Sequence, residues 1–435
     1  MMPRTPVVLC LAAVLLASSA ASAQRTDPQW SVDPEPISGV RTPPGRWQRA
    51  RDTQSEELNE EQRAEIERLE SIGYLAGYRS APANSGVTYY DPERAHPGYN
   101  FYTSGHFPGA LLVDMEGSVL HEWRAEFTDV FPDRADLIQA DRTNRWRYAH
   151  LFANGDVLGI YEGAGLVKLN ADSEVLWGFL GGSHHDVDVL EDGTIYVLGR
   201  TAHIIERINP HRPILEDFFY VLDENGNERK RISILEAFER SRFVNIFDAA
   251  CMEHMGDIFH TNAIEVLDGR LADEIPAFRK GNVMISIRRL DCIAVLDIDA
   301  EEIVWMDMGL WLKQHQPTVM DDGSILVFDN VGNGGASRVI QYDPVTTEIT
   351  WSYGGDPPGS FYTKAGGACH RLPNGNTLIT ESDNGRAFEV TLSGDIVWEY
   401  RNPERAGQKD ELIATLFDVM RFPEDYTSSW LEVSE

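Results

Sequence analysis

The chain has 435 residues, with 69 Asp or Glu against 38 Lys or Arg and a formal net charge of −31. Nothing offers a clustered basic face, which argues against nucleic acid as a partner. Acidity of this kind reflects solubility or a salty habitat, and it requires any site for an anion to bring its own positive charge.

The chain opens on a leader pattern. Arg4 supplies a small positive region, Val7 to Leu16 an apolar core, and Ala21-Ser22-Ala23 a small-residue cleavage site before Gln24. This pattern predicts a secretory signal over residues 1–23, too short to span a bilayer, and a periplasmic or secreted protein with no membrane partner. Cys10 leaves with the leader, so Cys251, Cys292 and Cys369 remain, enough for at most one internal bridge. Residues 24–58 are polar, rich in Pro and Arg, and read as an extended arm. A helix follows, with Asn59 as N-cap, Gln62 three residues on, an apolar stripe of Ile66, Leu69 and Ile72, and Gly73 at its end. Arm and helix together make an N-terminal segment of residues 24–86.

From about Val87 the chain is strand and turn. An apolar strand ending on a polar residue, a turn, and a second strand closing on tryptophan run from Leu111 to Trp123. The same phrase recurs from Val167 to Trp177, Ala294 to Trp305, Ile340 to Trp351 and Phe388 to Trp398. A sixth copy, Tyr220 to the Asn225-Gly226 turn, has Lys230-Arg231 where tryptophan would stand. Between these lie histidine-led hairpins, at His150, His185, His315 and His370, turning at Asn-Gly or Asp-Gly, the residue pairs that tolerate positive φ. Their spacing is regular: 315 − 260 and 370 − 315 are both 55, whereas 260 − 185 is 75 because residues 228–258 insert a segment of helical character. Four antiparallel strands per unit at about 45–55 residues is a propeller period. The expected fold is all-β, a six-bladed β-propeller over residues 87–435 with a short N-terminal arm and helix. Leu416 to Phe422 is expected to supply the strand that closes the first blade.

In a propeller the inner strand of each blade lines the central channel, so His150, His185, His260, His315 and His370 are expected to converge on one funnel. A single strand-end histidine is ordinarily just a hydrogen-bonded one; a ring of imidazoles is hard to explain as packing. Cys369 beside His370 is not read as a catalytic pair, because neighbouring strand residues point to opposite faces.

Several segments, taken in order, resemble the bacterial aryl-sulfate sulfotransferases. They are Pro97-Gly98-Tyr99-Asn100, Leu112-Val113-Asp114-Met115-Glu116-Gly117, His185-Asp186, His260-Thr261-Asn262, Ser286-Ile287-Arg288, Gln314-His315 and Phe328-Asp329-Asn330. The resemblance covers roughly residues 90–400 and implies an exported six-bladed propeller. It also implies transfer of a sulfuryl group between phenols with neither a nucleotide donor nor another cofactor, so that the partners are a small aryl sulfate and a phenolic acceptor. Carried over motif by motif, His315 matches the nucleophile that becomes a sulfohistidine. His260, with Asn262 two residues on, matches a histidine serving the sulfuryl oxygens or the leaving phenol. Arg288 matches the sulfate clamp, and His185, with His184 beside it as the competing choice, matches the third histidine. His150 and His370 stand as funnel-lining residues. The chemistry is coherent: neutral imidazole is a nucleophile and, once sulfated, a leaving group, and fixed cationic donors stabilise the transferring oxygens. Relatives carry a β-sandwich domain that contributes to dimerisation; none is read here, which leaves a homodimer open.

Two other classes fit part of the pattern. A ring of imidazoles suits iron or copper, although Arg288 sits awkwardly beside a cation. A non-catalytic ligand-binding or partner-binding propeller is the second. A quinone dehydrogenase is disfavoured, because the tryptophans close outer strands.

Overall fold

The structure, a computed structural model, describes residues 47–48, 82–138, 143–246, 256–406 and 410–431, with backbone only at 47–48 and 209–213. The leader, most of the arm, the helix from Asn59 and Cys251 lie outside these residues. Six antiparallel sheets form six blades. From the axis outward, blade 2 is Ala149–Leu151, Val157–Tyr161, Gly165–Leu169 and Val175–Phe179; blade 3 is Ser183–Val189, Ile195–Ile205, Asn209–Leu222 and Glu228–Ser233. Blade 4 is Thr261–Val266, Val283–Ile287, Cys292–Asp297 and Glu302–Met308, and blade 5 is His315–Val319, Ile325–Asn333, Ala336–Tyr342 and Ile349–Tyr353. Blade 6 is Ala368–Arg371, Thr377–Glu381, Arg386–Val390 and Ile396–Arg401. Blade 1 joins both ends of the chain: Leu416–Phe422 is its inner strand, followed by Tyr99–Ser104, Gly109–Val113 and Val119–Arg124. The C-terminal strand thus closes the first blade as expected, and Gly86–Tyr90 adds a fifth strand to the outer edge of blade 6. Within the arm, Trp47–Gln48 pairs with Leu412–Ala414.

There is no single core. Six apolar clusters sit at the six blade joints, and successive residues of one strand serve opposite joints. Phe101 and Leu112 face blade 2, whereas Tyr102 and Leu111 face blade 6. This is why the middle strands read as continuous apolar runs: both faces of every blade are covered.

The polar residue that ends each third strand is an acceptor built into the turn. Asp114 takes the N–H groups of Glu116 and Ser118, Asn170 those of Asp172 and Glu174, and Asp223 those of Asn225 and Asn227. The tryptophan motif has its own logic. Trp177 Nε1 donates to Glu224 O (3.1 Å), Trp351 to Leu392 O (3.0 Å) and Trp398 to Met115 O (2.9 Å), each time the second residue of the next blade's outer turn. Lys230, standing where tryptophan was missing, donates its ammonium to Ile298 O at the same place. In blade 1 the register assigns that position to His121, opposite Leu112, and its Nε2 donates to Ala171 O (2.8 Å). Trp123 lies two residues further and donates to Gly155 O (2.9 Å).

A second set of latches ties inner strands to their neighbouring blades. Asp186 accepts from Ile264 N, Asp188 from Val266 N, Glu265 from Val319 N, Gln316 Oε1 from Cys369 N, and Thr380 Oγ1 from Val419 N, at 2.7–3.0 Å. Part of the inner-strand acidity is therefore structural. The long interval before His260 comes from an elongated hairpin over Ile195–Leu222 and a helix, Ile234–Arg240, capped by Ser233 accepting from Glu236 N. Among the described residues, no helix is long and apolar enough to cross a membrane.

Candidate active site

The inner strands of blades 3, 4 and 5 each lose regular register near one end, between Ser183 and Val187, Thr261 and Ala263, and His315 and Thr318. A bulge turns a side chain out of the pleat and towards the axis. The backbone accepts left-handed angles there, with φ of +58° at His185, +52° at His260 and +41° at Gln316. Such strain in non-glycine residues collects at functional sites.

Those three blades bring together His185, His260 and His315. The rings of His185 and His260 lie 5.0 Å apart, edge to face. His315 Nδ1 contacts Asn330 Oδ1 (2.7 Å) and Lys313 O (3.1 Å). Asn330 is itself fixed, its Nδ2 donating to Gly366 O (2.7 Å) and Thr363 O (3.0 Å), so its oxygen must face the histidine. Both partners of Nδ1 are acceptors, hence Nδ1 carries the proton and Nε2 carries the lone pair. Burial, then the nearby Arg288 and Arg147 guanidiniums, hold the pKa of His315 well below the usual histidine value, so the ring is neutral at pH 7.

His260 is differently equipped. Its Nδ1 meets Asp257 Oδ2 at 2.5 Å, a carboxylate–imidazole pair. Burial would push Asp257 up, but the His260 hydrogen bond and the Arg289 and Arg200 charges hold it at about 2. Burial, with Arg288 and Arg200, outweighs that carboxylate and leaves His260 below its ordinary value. The backbone N of Arg288 donates to His260 O (3.3 Å), which joins the arginine to this histidine.

Behind His185 stands His184, their Nδ1 atoms 2.8 Å apart. His184 is the deeper ring: its Nε2 is 3.7 Å from the buried Asp217, and burial lowers its pKa to about 3. Asp217, pushed to about 7 by burial, also accepts Thr261 N. His185 is thus the member of the pair that meets His260. Beside it Glu162 bonds Arg200 Nη2 (3.0 Å) and lies 3.8 Å from His185 Nδ1 and 3.9 Å from Arg147 Nε. Although burial opposes it, Arg200 and Arg147 keep Glu162 at about 2.

The five inner-strand histidines do not share one level. His185 and His315 stand eight residues before their turn glycines, Gly193 and Gly323; His150 and His370 stand five before Gly155 and Gly375. His150 accordingly packs edge-on against Phe152 (4.7 Å), near the charge of Lys168. His370 bonds Asp418 Oδ1 (2.8 Å), with Gln316 Nε2 donating to the other oxygen of that carboxylate (3.2 Å). Neither joins the His185–His260–His315 group. Asn262 spends its amide donor on Gln314 O (2.8 Å), the peptide leading into His315, and so fixes the backbone that carries that histidine. Gln314 is tied in turn to Cys292 O (2.7 Å). Cys292 and Cys369 are buried free thiols.

Sequence reasoning missed Arg147, Glu162, Arg200, Asp257 and Asn330. Asp257 lies three residues before His260, and Asn330 ends the segment Phe328-Asp329-Asn330, which was singled out without a role for it. Arg147 occupies a position that counting from the turn would have found. Among the described residues, no three or more His, Cys, Asp or Glu side chains are grouped as metal ligands; the charge gathered near His315 is that of guanidiniums.

Among solved structures, the chain is similar to a protein of unknown function from Bacteroides caccae (10% identity, 74% of this chain and 99% of that one, TM-score 0.49). It is also similar to a streptogramin B lyase (13%, 79% and 95%, TM-score 0.43) and to the β-propeller domain of Cps50 (Swd1) from Myceliophteria thermophila (10%, 78% and 98%, TM-score 0.43). No curated protein matches the sequence. Residues 153–403 match the model of one family, the arylsulfotransferases (ASST). That span, 403 − 153 + 1 or 251 of 435 residues, contains His185, His260, Arg288 and His315. The chain belongs to the arylsulfotransferase family, sulfotransferases that act on small molecules.

Proposed function

We propose that this protein moves a sulfuryl group from an aryl sulfate to a phenolic acceptor through a sulfohistidine at His315. One observation carries the reading: the Nδ1 of His315 is engaged by two acceptors, which leaves Nε2 as a neutral, unprotonated nucleophile. In the first half-reaction Nε2 attacks sulfur, the N–S bond forms, the aryl S–O bond breaks, and the phenolate leaves with the electron pair. In the second, the acceptor oxygen attacks sulfur, and the N–S pair returns to Nε2. His260, oriented by Asp257, starts the cycle as imidazolium: it gives its Nε2 proton to the departing phenolate, and the neutral ring so formed takes one back from the incoming phenol. Arg288 stabilises the charge spread over the sulfuryl oxygens; one such donor is worth roughly 3 kcal/mol. His185 completes the donor set from blade 3. The leader pattern of residues 1–23 supports working after export.

The test is a pre-steady-state assay with p-nitrophenyl sulfate and no added nucleotide. Native protein is expected to release one nitrophenol per chain in a burst and then to turn over only when a phenol is supplied. His315→Ala should give no burst. A burst of equal size from that variant would sink the proposal, and a native protein inert with every aryl sulfate would leave the non-catalytic reading.

A further inference from the structure

Aligning the inner strands by register, instead of by histidine, yields one residue per blade at a common level. Leu151, Val189, Val266, Val319 and Arg371 each pair with the first residue of the second strand. Four residues earlier stand Arg147, His185, Asn262, His315 and Gly367. In blade 1, Arg421 pairs with Asn100, and Asn100 with Val113 at the outer bulge, the same relation that Val319 has to Ile325 and Tyr342; four residues earlier is Phe417. The level is thus Phe417, Arg147, His185, Asn262, His315 and Gly367, going round blades 1 to 6. Blade 2 also carries the bulge: Ile160 O accepts Arg147 N while Ile160 N donates to Tyr148 O, so two residues oppose one.

Arg147 is built to reach across this ring. Its guanidinium lies over Phe417, 4.9 Å from the ring centroid, with Glu162 at 3.9 Å on the His185 side. Its tip passes blade 1 and arrives beside blade 6, where a methyl group built on Gly366 would sit 3.9 Å from Nη2. Gly366 is the residue whose carbonyl holds Asn330, and Asn330 holds His315. Blade 6 leaves room there because its own ring residue is a glycine: Gly367 has φ of +106°, and a Cβ would fall 2.5 Å from the Phe328 ring. Arg288 reaches His315 from blade 4; Arg147 arrives from the opposite side, past blades 1 and 6.

Resting on the sulfohistidine reading, we propose that Arg147 is a second catalytic guanidinium of the sulfuryl clamp, binding the transferring oxygens on the side of His315 away from Arg288. Glu162 and Phe417 hold it in place. The charge it exerts on both His315 and His185 is consistent with a position between them. Two fixed guanidiniums meet the need, set by the acidic chain, for a locally cationic site.

The burst assay with p-nitrophenyl sulfate tests this with native protein, Arg147→Met and Arg147→Lys, each checked for an unchanged thermal midpoint. Arg147→Met is expected to slow the burst about 10²-fold or more. Arg147→Lys should recover part of the rate, because it restores charge without the fork. Inorganic sulfate should inhibit native protein and lose its hold on Arg147→Met, a change that a merely structural role would not produce. A Met variant with a burst within about threefold of native would overturn the proposal. So would equal losses in both variants accompanied by a fallen thermal midpoint, which would assign Arg147 to packing on Phe417. A native protein with no burst would overturn the underlying sulfohistidine reading instead, and this is seen before either variant is made.

Discussion

At the scale of the residue, protonation separates this site from an ordinary histidine cluster. An unperturbed histidine loses its lone pair as pH falls through 6.5; burial and two guanidiniums hold His315 neutral well below that value. The acid limb of the chemical step should therefore lie below pH 6. With p-nitrophenyl sulfate, whose good leaving group asks little of a general acid, the burst rate at pH 6 should be within about twofold of that at pH 8. A tenfold fall over that interval would mean a normal histidine at the reacting centre. His315, His260 and Arg288 were legible in the sequence because each sits in a short motif. Arg147 was equally legible in principle, eight residues before Gly155 as His185 is before Gly193, but as an arginine it breaks the histidine repeat. Glu162 and Arg200 were not legible: one follows the second strand of blade 2, the other lies midway along the second strand of blade 3, and they meet only when the blades pack.

At the scale of the element, the blade is the repeating object and the outer turn is its joint. The donor to the next blade's turn can be tryptophan, lysine or histidine, so the spacing of the acceptor turns matters more than the aromatic. Trp351→Phe keeps an aromatic ring but removes the indole N–H that bonds Leu392 O, leaving a backbone carbonyl without its donor. The expected cost is about 1 kcal/mol of stability, measured as a lower denaturant midpoint with an unchanged slope. A variant as stable as native would reduce this bond to an incidental contact. The tryptophan repeats found five of the six blades, and the departure at Lys230-Arg231 hid a bond of the same kind. In blade 1 the repeat was misaligned by two residues, because Trp123 outranked His121 as a signal although the register gives His121 the joint.

At the scale of the whole molecule, the ring closes through both termini and through buried carboxylates that bridge inner strands. Burial raises Asp186 to about 7 and Glu265 to about 8, yet both are engaged by backbone N–H groups of the neighbouring blade. Shifted carboxylates are often functional; here their geometry makes them latches. The linkage has a definite sign. The folded pKa of Glu265 exceeds its ordinary 4.5, so its neutral form favours the fold at low pH, and that contribution is lost as pH rises from 4.5 through about 8. Glu265→Gln keeps the acceptor and never ionises. Its thermal midpoint should exceed that of native protein at pH 9, with the advantage disappearing near pH 4. The reverse order at pH 9 would mean that the carboxylate is ionised and stabilising. The six-bladed architecture was readable from periodicity, whereas the closing strand, Leu416–Phe422, carries neither the histidine nor the tryptophan of the repeats. Of the extra length before His260, the helix Ile234–Arg240 falls within the segment 228–258 read as helical, whereas the hairpin extension of blade 3 leaves no periodic mark.

The central claim is that sulfur is carried on one nitrogen of one histidine. Native protein should be mixed with p-nitrophenyl sulfate, quenched and weighed intact, then digested to map the adduct. The expected result is one added sulfuryl group on the peptide containing His315, absent from His315→Ala and discharged by adding a phenol. Nitrophenol release with no adduct at any time, or an adduct mapped to His260 or His185, would contradict it.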